Sequence, residues 1–248
     1  MNDLVSIIVP LYNYRDYIEE NILSIQLQSY PDWEIIIVDD GSKDDPYPVI
    51  KPYESDKIKY IKLDKNGGYS AAKNVGIRAS KGSMIVVLDA DDMLTSESLK
   101  CRVEFLQTHE VSWVHGLALE FHNTKPYDFH LVKRKAHKKF KGIQKSGDYT
   151  EVWTCIHAQS VMVCRSAYQR VGLYEETLYS MGDKEMWARL LHHVGNPGYV
   201  NAPIAYYRQH DKQMHRSKKK LRNLKKIKKH MHNLVKTRRK KLDGVEKL

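Results

Sequence analysis

The sequence lacks long apolar runs, paired cysteines and a basic leader, and these absences exclude several classes of protein. None of its hydrophobic stretches approaches the ~18–20 residues that a helix needs to cross a bilayer. Its cysteines, Cys101, Cys155 and Cys164, are odd in number and lack metal-site spacing, which favours reduced thiols over a disulfide framework. The opening residues MNDLVSIIVP contain an acid and no basic residue, so no secretory signal peptide is expected. The sequence therefore predicts a cytoplasmic protein without a transmembrane segment.

Positive charge is scarce in most of the chain and concentrated at its end. The 248 residues together have a formal net charge of +11. Residues 216–248 carry 15 Lys/Arg against 2 acids, or +13, so the other 215 residues hold 26 Lys/Arg against 28 acids, or −2. This shift predicts a boundary near residue 215, with a catalytic or binding domain over 1–215 and a basic helical tail over 216–248.

Short apolar runs alternate with helical patterns through the first hundred residues. Strands are predicted at 5–9, 34–38, 58–63 and 84–88, and helices at 14–28 and 70–79. Because the strands are continuously apolar and are separated by helices, they predict an α/β fold with a mostly parallel central sheet and helices on both faces. Further strands are predicted at 111–121 and 199–208, a hairpin or mobile loop within 122–150, and a helix at 183–193.

Polar segments follow each of the first four predicted strands. They are Pro10-Leu11-Tyr12-Asn13, Asp39-Asp40-Gly41-Ser42, Asn66-Gly67-Gly68 and Asp89-Ala90-Asp91-Asp92. Each could be an ordinary turn, since Asn, Asp and Gly are common turn residues. Open parallel sheets, however, bind ligands beyond the carboxyl ends of their strands, where all four segments would share one edge. The sequence therefore predicts a single binding site at this edge.

Three aspartates end the apolar run IVVLDADDML. Buried carboxylates are costly without a cation or strong donors nearby, and hard oxygen ligands suit Mg²⁺ or Mn²⁺. In extended backbone Asp89 and Asp91 point to the same face, so one can bind a metal while the other holds a ligand beside it. The plainer alternative is that these acids cap a helix starting near Thr95, and we expect Asp92 alone to do so.

Five motifs occur in a fixed order along residues 4–210. They are VSIIVPLYN, IIIVDDGS, the Asn66-Gly67-Gly68…Ala72-Lys73-Asn74 segment, VLDADD and GDKEMWARL. In this order the chain resembles the inverting, nucleotide-sugar-dependent glycosyltransferases with the GT-A fold, known as family 2. The resemblance implies transfer of a sugar from a UDP-sugar to a hydroxyl of a glycan or lipid-linked acceptor, as in polysaccharide biosynthesis. The Gln-x-x-Arg-Trp motif of the processive synthases is absent, which favours one sugar per encounter.

The resemblance also assigns donor contacts to residues at the predicted edge. The residues that would contact the nucleotide sugar are Pro10, Leu11, Tyr12, Asp39, Asp40, Lys73, Asn74, Asp89 and Ala90. The first three would line the base and the ribose, and Asp39 would accept a hydrogen bond from the imide N–H of uracil. Lys73 or Asn74 would reach the ribose or the diphosphate, and Asp89 would contact the ribose.

A divalent cation, Mn²⁺ or Mg²⁺, is the implied cofactor, with Asp91 as its ligand. Breaking a sugar–diphosphate bond leaves negative charge on the departing phosphate, and a bound cation stabilises that charge. His210, in YRQHDKQMHRS, falls where related enzymes often carry a histidine that joins the metal or the diphosphate. The alternative for His210 is a surface histidine in a basic loop.

Inversion also needs a group that takes the proton from the attacking hydroxyl. In SMGDKEMWARLL the resemblance places this base at Asp183. The alternative is that Asp183 is a helix N-cap and Glu185 a solvated helix acid, because residues i and i+2 diverge on a helix. Trp187 in the same segment is predicted to belong to the core.

The basic tail has three competing partners. An apolar stripe at helical spacing runs through it, at Leu221, Leu224, Ile227, Met231, Leu234 and Val235. The stripe could dock on the catalytic domain or a second subunit, while the basic face could bind an anionic membrane or a nucleic acid. Location at the inner face of a membrane and transfer to modified DNA bases therefore remain alternatives, as does a catalytically inert GT-A-like scaffold.

Overall fold

The computed structural model describes residues 3–123, 125–131, 156–178, 180–211, 213 and 233. Nine strands occur in it: β1 Val5–Leu11, β2 Trp33–Asp39, β3 Ile58–Lys62, β4 Met84–Val87, β5 Met93–Leu94, β6 Trp113–His122, β7 Lys125–Leu131, β8 Met162–Cys164 and β9 Gly198–Gln209. The α-helices are α1 Arg15–Gln26, α2 Tyr47–Ile50, α3 Tyr69–Ala79, α4 Ser98–Thr108, α5 Arg165–Val171 and α6 Gly182–His193. Short 3₁₀ turns occupy Lys51–Tyr53 and Ala158–Ser160.

The strands form one sheet in the order β3-β2-β1-β4-β8-β6-β9-β5, with β7 paired to β6. The first four strands are parallel, as the alternation of apolar runs and helices predicts. Beyond β4 the sheet is mixed, because β8 runs antiparallel to both β4 and β6 while β9 runs parallel to β6. The predicted strands at 111–121 and 199–208 correspond to β6 and β9. In the described part of the segment 122–150, β7 pairs antiparallel with β6, so the hairpin begins within the predicted strand and does not lie wholly inside 122–150.

Helices cover both faces of the sheet. On one face Ile7 and Val9 of β1 pack with Ile18 and Ile22 of α1, while on the other Ile8 packs in the cluster that includes α3 and α6 residues. Close approach of α3 requires Gly76, since a Cβ there would lie 2.3 Å from Ile8 Cγ2. The predicted α/β class, with a central sheet and helices on both faces, is confirmed.

Several predictions fall outside the described residues. These are the tail at 216–248, apart from Asn233, the part of the 122–150 segment beyond β7, and Cys155. Within the described ranges, no helix is both long and apolar enough to cross a membrane.

Candidate functional site

The polar segments after β1, β2 and β4 meet at the carboxyl edge of the sheet. Leu11 pairs with Asp39 across β1 and β2, and Asp39 pairs with Lys62 across β2 and β3. Side chains then tie the segments together: the Asn13 N–H donates to Ser42 Oγ at 3.0 Å. The predicted convergence of these segments is thus observed.

Of Pro10, Leu11 and Tyr12, only Tyr12 is exposed at the carboxyl edge of the sheet, which we call the rim. Pro10 and Leu11 are the last residues of β1 and are buried, and Leu11 packs in the core beside α1. Tyr12 is 39% exposed. β1 thus runs two residues further than the sequence pattern indicated, so Pro10 and Leu11 could line a base or ribose only through their backbone, and their donor contact stays a prediction.

Asp39 is a fully buried acceptor at the end of β2. Its Oδ1 accepts the Ser42 N–H at 2.7 Å, and its Oδ2 accepts the Tyr60 hydroxyl at 2.6 Å. Tyr60 stacks on Tyr47 with ring centroids 5.1 Å apart. Burial, followed by the hydrogen bond to Asp39, raises the pKa of Tyr60, so this phenol remains a proton donor. Each carboxylate oxygen can accept a second hydrogen bond, so Asp39 can still receive an N–H from a ligand.

Asp40 holds the loop before α3. Its two oxygens accept the backbone N–H groups of Gly67 and Gly68 at 2.7 and 2.9 Å. Gly68 has φ +95°, in the left-handed region that glycine tolerates best. Burial raises the pKa of Asp40, and the two backbone donors oppose that rise. The Asp40 carboxylate thus orients the backbone of this loop, and its contact with a donor stays a prediction.

Asp89, Asp91 and Asp92 form an acidic cluster after β4, with one ligand oxygen from each lying within 4.8 Å of the others. Asp92 is buried and accepts the Arg208 N–H at 2.8 Å as well as the Gln159 side chain. The predicted capping role of Asp92 is wrong, because β5 intervenes and α4 begins only at Ser98. Ala90, between the acids, is 1% exposed, so only its backbone could contact a donor.

The cluster has the electrostatics of a cation site. Burial, followed by repulsion from Asp91, raises the pKa of Asp89 to about 7, and burial also raises the pKa of Asp92 well above its usual value. His210 Nε2 lies 3.0 Å from Asp91 Oδ2, and its buried Nδ1 has no hydrogen-bond partner among the described residues. Hard carboxylate oxygens that repel one another, with an imidazole beside them, fit a divalent cation such as Mn²⁺ or Mg²⁺.

Arg208 and Gln159 are site residues that sequence reasoning missed. Gln159 Nε2 donates to both Asp92 and, at 3.2 Å, Asp89. Arg208 donates from Nε to the Asp91 carbonyl at 2.7 Å, and its guanidinium also pairs with Glu20. A signal for Arg208 existed, since i and i+2 side chains of a strand share a face and His210 follows two residues later.

Lys73 and Asn74 of α3 face α6 and the segment before it. The Lys73 ammonium is fully buried, with Nζ 2.5 Å from Asp183 Oδ1. The Asn74 amide exchanges two hydrogen bonds of 2.9 Å with the Tyr174 backbone and donates a third to Glu176. The expectation that Asn74 reaches the ribose or diphosphate is therefore wrong in this structure, because the packing of α3 commits its donors and its oxygen to the segment before α6.

Asp183 lies in the first turn of α6 with its side chain 24% exposed. It is not the N-cap, which is Met181 in the left-handed conformation with φ +69°. Glu185 is fully buried and forms a two-bond ion pair with Arg189 at 2.7 and 2.8 Å. The alternative of a capping Asp183 and a solvated Glu185 is thus wrong. Trp187 is 4% exposed, which confirms its predicted place in the core.

Comparisons with known proteins agree with this architecture. The family model described as Glycosyl transferase family 2 matches residues 6–171. The chain is 30% identical over 210 residues to TuaG of Bacillus subtilis, a glycosyltransferase that its name assigns provisionally to teichuronic acid biosynthesis, covering 83% of this chain and 79% of that protein. It is 37% identical over 116 residues to an uncharacterized glycosyltransferase of Haemophilus influenzae, covering 46% of each.

Solved structures show the same fold. The structure superposes on S. aureus TarS 1–349 in complex with UDP with a TM-score of 0.70 at 20% identity, covering 83% of this chain and 60% of that chain. The complex of the same protein with UDP-GlcNAc gives a TM-score of 0.72, again at 20% identity, covering 85% and 60%. The chain thus spans less than two thirds of these TarS chains. The family match covers more than half of the chain, from β1 through α5, and the chain therefore belongs to glycosyl transferase family 2, with the GT-A fold.

Proposed function

We propose that this protein transfers a single sugar, with inversion, from a UDP-sugar to a hydroxyl of a glycan or lipid-linked acceptor in polysaccharide biosynthesis. The observation that carries the proposal is that side chains on one face of α3 contact two separate carboxylates. Tyr69 of α3 donates its hydroxyl to Asp89 of the acidic cluster, and Lys73, one turn later, pairs with Asp183. A donor-binding centre and a partly exposed base candidate thus flank the same helix.

The donor is proposed to bind along the carboxyl ends of β1, β2 and β4. Asp39 would accept the imide N–H of uracil, because it keeps acceptor capacity after its bonds to Ser42 and Tyr60. The exposed ring of Tyr12 would cover the base or ribose, and Asp89 the ribose hydroxyls. The choice of UDP is supported by the TarS structures, whose chains share this fold and hold UDP or UDP-GlcNAc.

A divalent cation would be held by Asp91, with Asp89 and His210 beside it. When bound, it supplies positive charge that stabilises the negative charge developing on the departing diphosphate. Gln159 and Arg208 keep the acidic cluster in place, because they donate to Asp92, to Asp89 and to the Asp91 carbonyl. His210 is held in a pocket of tyrosines, with ring centroids 5.5 Å from Tyr14 and 4.7 Å from Tyr17.

Asp183 is proposed as the general base. The acceptor hydroxyl attacks the anomeric carbon, its oxygen forms the new glycosidic bond, and the bond from that carbon to the diphosphate oxygen breaks. The hydroxyl proton passes to Asp183, whose partial exposure leaves room for an acceptor to approach. Single displacement on the face opposite the leaving group gives inversion.

The test compares Asp183→Asn with the wild type on a panel of UDP-glucose, UDP-galactose and UDP-N-acetylated sugars, with Mn²⁺ and with chelator. We expect release of UDP to fall by about 10²–10⁴-fold, the range that general bases contribute, while calorimetric UDP affinity stays the same. Asp56→Asn, an exposed acid away from the rim, is the matched control. Normal turnover in Asp183→Asn would remove this residue as the base, and a wild type that binds no UDP would overturn the donor assignment.

A further inference from the structure

Lys73 carries a positive charge in the protein interior, where a charged group costs far more free energy than at the surface. Its side chain is fully buried, between the ring of Tyr69 at 3.7 Å and the ring of Tyr174 at 4.3 Å from Nζ. Within the described part of the chain, Asp183 is the one carboxylate that forms an ion pair with it. A buried ammonium without a close counter-ion is strongly destabilising, so Lys73 and Asp183 constrain each other's position.

The pair is asymmetric in a way that suits a reacting group. Lys73 is fully enclosed, whereas the Asp183 side chain is 24% exposed. The ammonium contacts Oδ1 of Asp183, and no hydrogen bond to Oδ2 is found among the described residues. One oxygen of this carboxylate is therefore anchored to the protein interior, and the other is left to accept a proton from outside.

The anchor itself is held on several sides. Tyr69 precedes Lys73 by one helical turn, so both side chains lie on the same face of α3, and the Tyr69 hydroxyl donates to Asp89. The neighbouring residue Asn74 forms two hydrogen bonds with the Tyr174 backbone, and the Tyr174 ring lies over the Lys73 ammonium. Cation–π contacts with two rings add to the ion pair and restrict the ammonium to one position.

We propose that Lys73 is the positioning residue of the general base: it fixes one oxygen of Asp183 so that the other faces the acceptor hydroxyl. This inference rests on the proposed function of Asp183. It differs from the role that the sequence motif suggests for Lys73, which is contact with the ribose or diphosphate of the donor. The two roles predict different kinetic parameters, because a donor contact contributes to UDP binding, whereas a base-positioning contact acts in the transfer step.

The experiment compares wild type, Lys73→Met, Lys73→Arg and Asp183→Asn in the full chain with Mn²⁺ and a UDP-sugar that the wild type turns over. Lys73→Met keeps an unbranched side chain, one atom shorter, and removes its charge. We expect kcat to fall by about 10²-fold, the loss typical of a misplaced reacting group, while KM for the donor and calorimetric UDP affinity stay within twofold of wild type. Lys73→Arg restores the cation and should recover part of that loss. Lys100→Met, an exposed lysine on α4, is the matched control.

Melting temperatures of the single and double variants distinguish loss of the ion pair from a general loss of folding. Asp183→Asn leaves the buried Lys73 ammonium without its counter-ion, so it should lower the melting temperature more than Lys73→Met does. The double variant Lys73→Met/Asp183→Asn should melt higher than Asp183→Asn alone, because it removes the unpaired charge. Additive melting shifts would contradict the proposed pairing.

Two results would overturn the inference and leave the proposed function standing. One is weaker UDP binding by Lys73→Met with an unchanged kcat, which would assign Lys73 to the donor. The other is wild-type kcat in Lys73→Met while Asp183→Asn is inactive, which would show that the base needs no anchor. Full activity of Asp183→Asn, by contrast, would overturn the role of Asp183 as general base, on which this inference rests.

Discussion

Neighbouring aspartates in this protein make different contacts, as two pairs of them show. Asp40 turns to the N–H groups of the loop before α3, while Asp39 accepts from Ser42 and Tyr60. In the same way Asp92 is enclosed by Arg208 and Gln159, whereas Asp91 faces His210. Asp39 ends β2 and Asp40 follows it, so their side chains diverge as in extended backbone. Asp91 and Asp92 instead lie in a turn, in which the Asp92 N–H donates to the Asp89 carbonyl at 3.0 Å.

The raised pKa of Asp89 gives a prediction for the metal-free protein. Its folded pKa of about 7 lies above the ordinary value of 3.8, so folding favours the protonated form. The stabilising contribution is fully present below pH 4 and is lost as pH rises through 7. In chelator, wild type should therefore lose stability relative to Asp89→Asn between pH 5 and pH 8.

Thermal melts of both proteins at each pH measure this difference. We expect the gap in melting temperature to change by at least about 2 °C, the shift that ~1 kcal/mol produces in a domain of this size. The comparison with Asp89→Asn cancels the titration of the histidines, which both proteins share. Melting curves of the two proteins that stay parallel across the pH range would contradict the prediction.

At the scale of elements, the contact between α3 and α6 brings Asp183 to Lys73. Gly182 begins α6, and a Cβ at this position would lie 2.9 Å from Ser70 Oγ in the first turn of α3. Asp183 follows immediately, so the distance between the two helix starts determines whether its carboxylate reaches the ammonium. The absence of a side chain at Gly182, the first residue of the GDKEMWARL motif, therefore allows this close approach of α6 to α3.

Gly182→Ala tests this contact. The added methyl group should push the start of α6 away from α3 and lower kcat by about tenfold, within the range that small displacements of reacting groups cause. Ser70→Ala removes the opposing oxygen, so the double variant should recover most of the activity, and Ser70→Ala alone should behave like wild type. Wild-type kcat in Gly182→Ala would mean that rotation of the Ser70 hydroxyl absorbs the clash.

At the scale of the whole molecule, the change in charge near residue 215 predicts a domain boundary. The described sheet and every residue of the candidate site lie before it, while the last 33 residues carry a net +13. We expect a chain of residues 1–215 to retain UDP binding and donor hydrolysis within about twofold of the full chain, because domains with their own core fold independently. Loss of both activities in a folded 1–215 protein would contradict the boundary.

The same truncation identifies the partner of the basic tail. Full-length and 1–215 proteins are compared for retention on anionic vesicles and on duplex DNA at increasing salt, since binding through lysine and arginine weakens steeply with ionic strength. Neutral vesicles are the control for apolar adsorption. Retention of the full chain, but not of the 1–215 protein, on one of these surfaces would identify that surface as the partner of the tail, and equal retention of both proteins would contradict a role of the tail in binding.

Much of the site was predictable because the ends of parallel strands share one edge. The positions of Asp39, Asp89 and Asp91 at that edge follow from apolar runs and their lengths. The contacts of Asn74 and Glu185 did not follow, because each depends on how a helix packs: Asn74 on Tyr174, and Glu185 on the buried Arg189. Arg208 and Gln159 were missed because their partners lie 117 and 67 residues away along the chain.

By itself the sequence determined the α/β architecture, the acidic segment after β4 and the location of the site. These properties depend on local periodicity and on the number of residues between polar segments, which the chain carries in every conformation. Only the tertiary structure decided which oxygen of each aspartate is occupied and that Lys73 meets Asp183, 110 residues apart. The ion pair forms when α6 docks on α3. A charge needs a nearby counter-ion only when it is buried, and Lys73 is buried only in the folded protein.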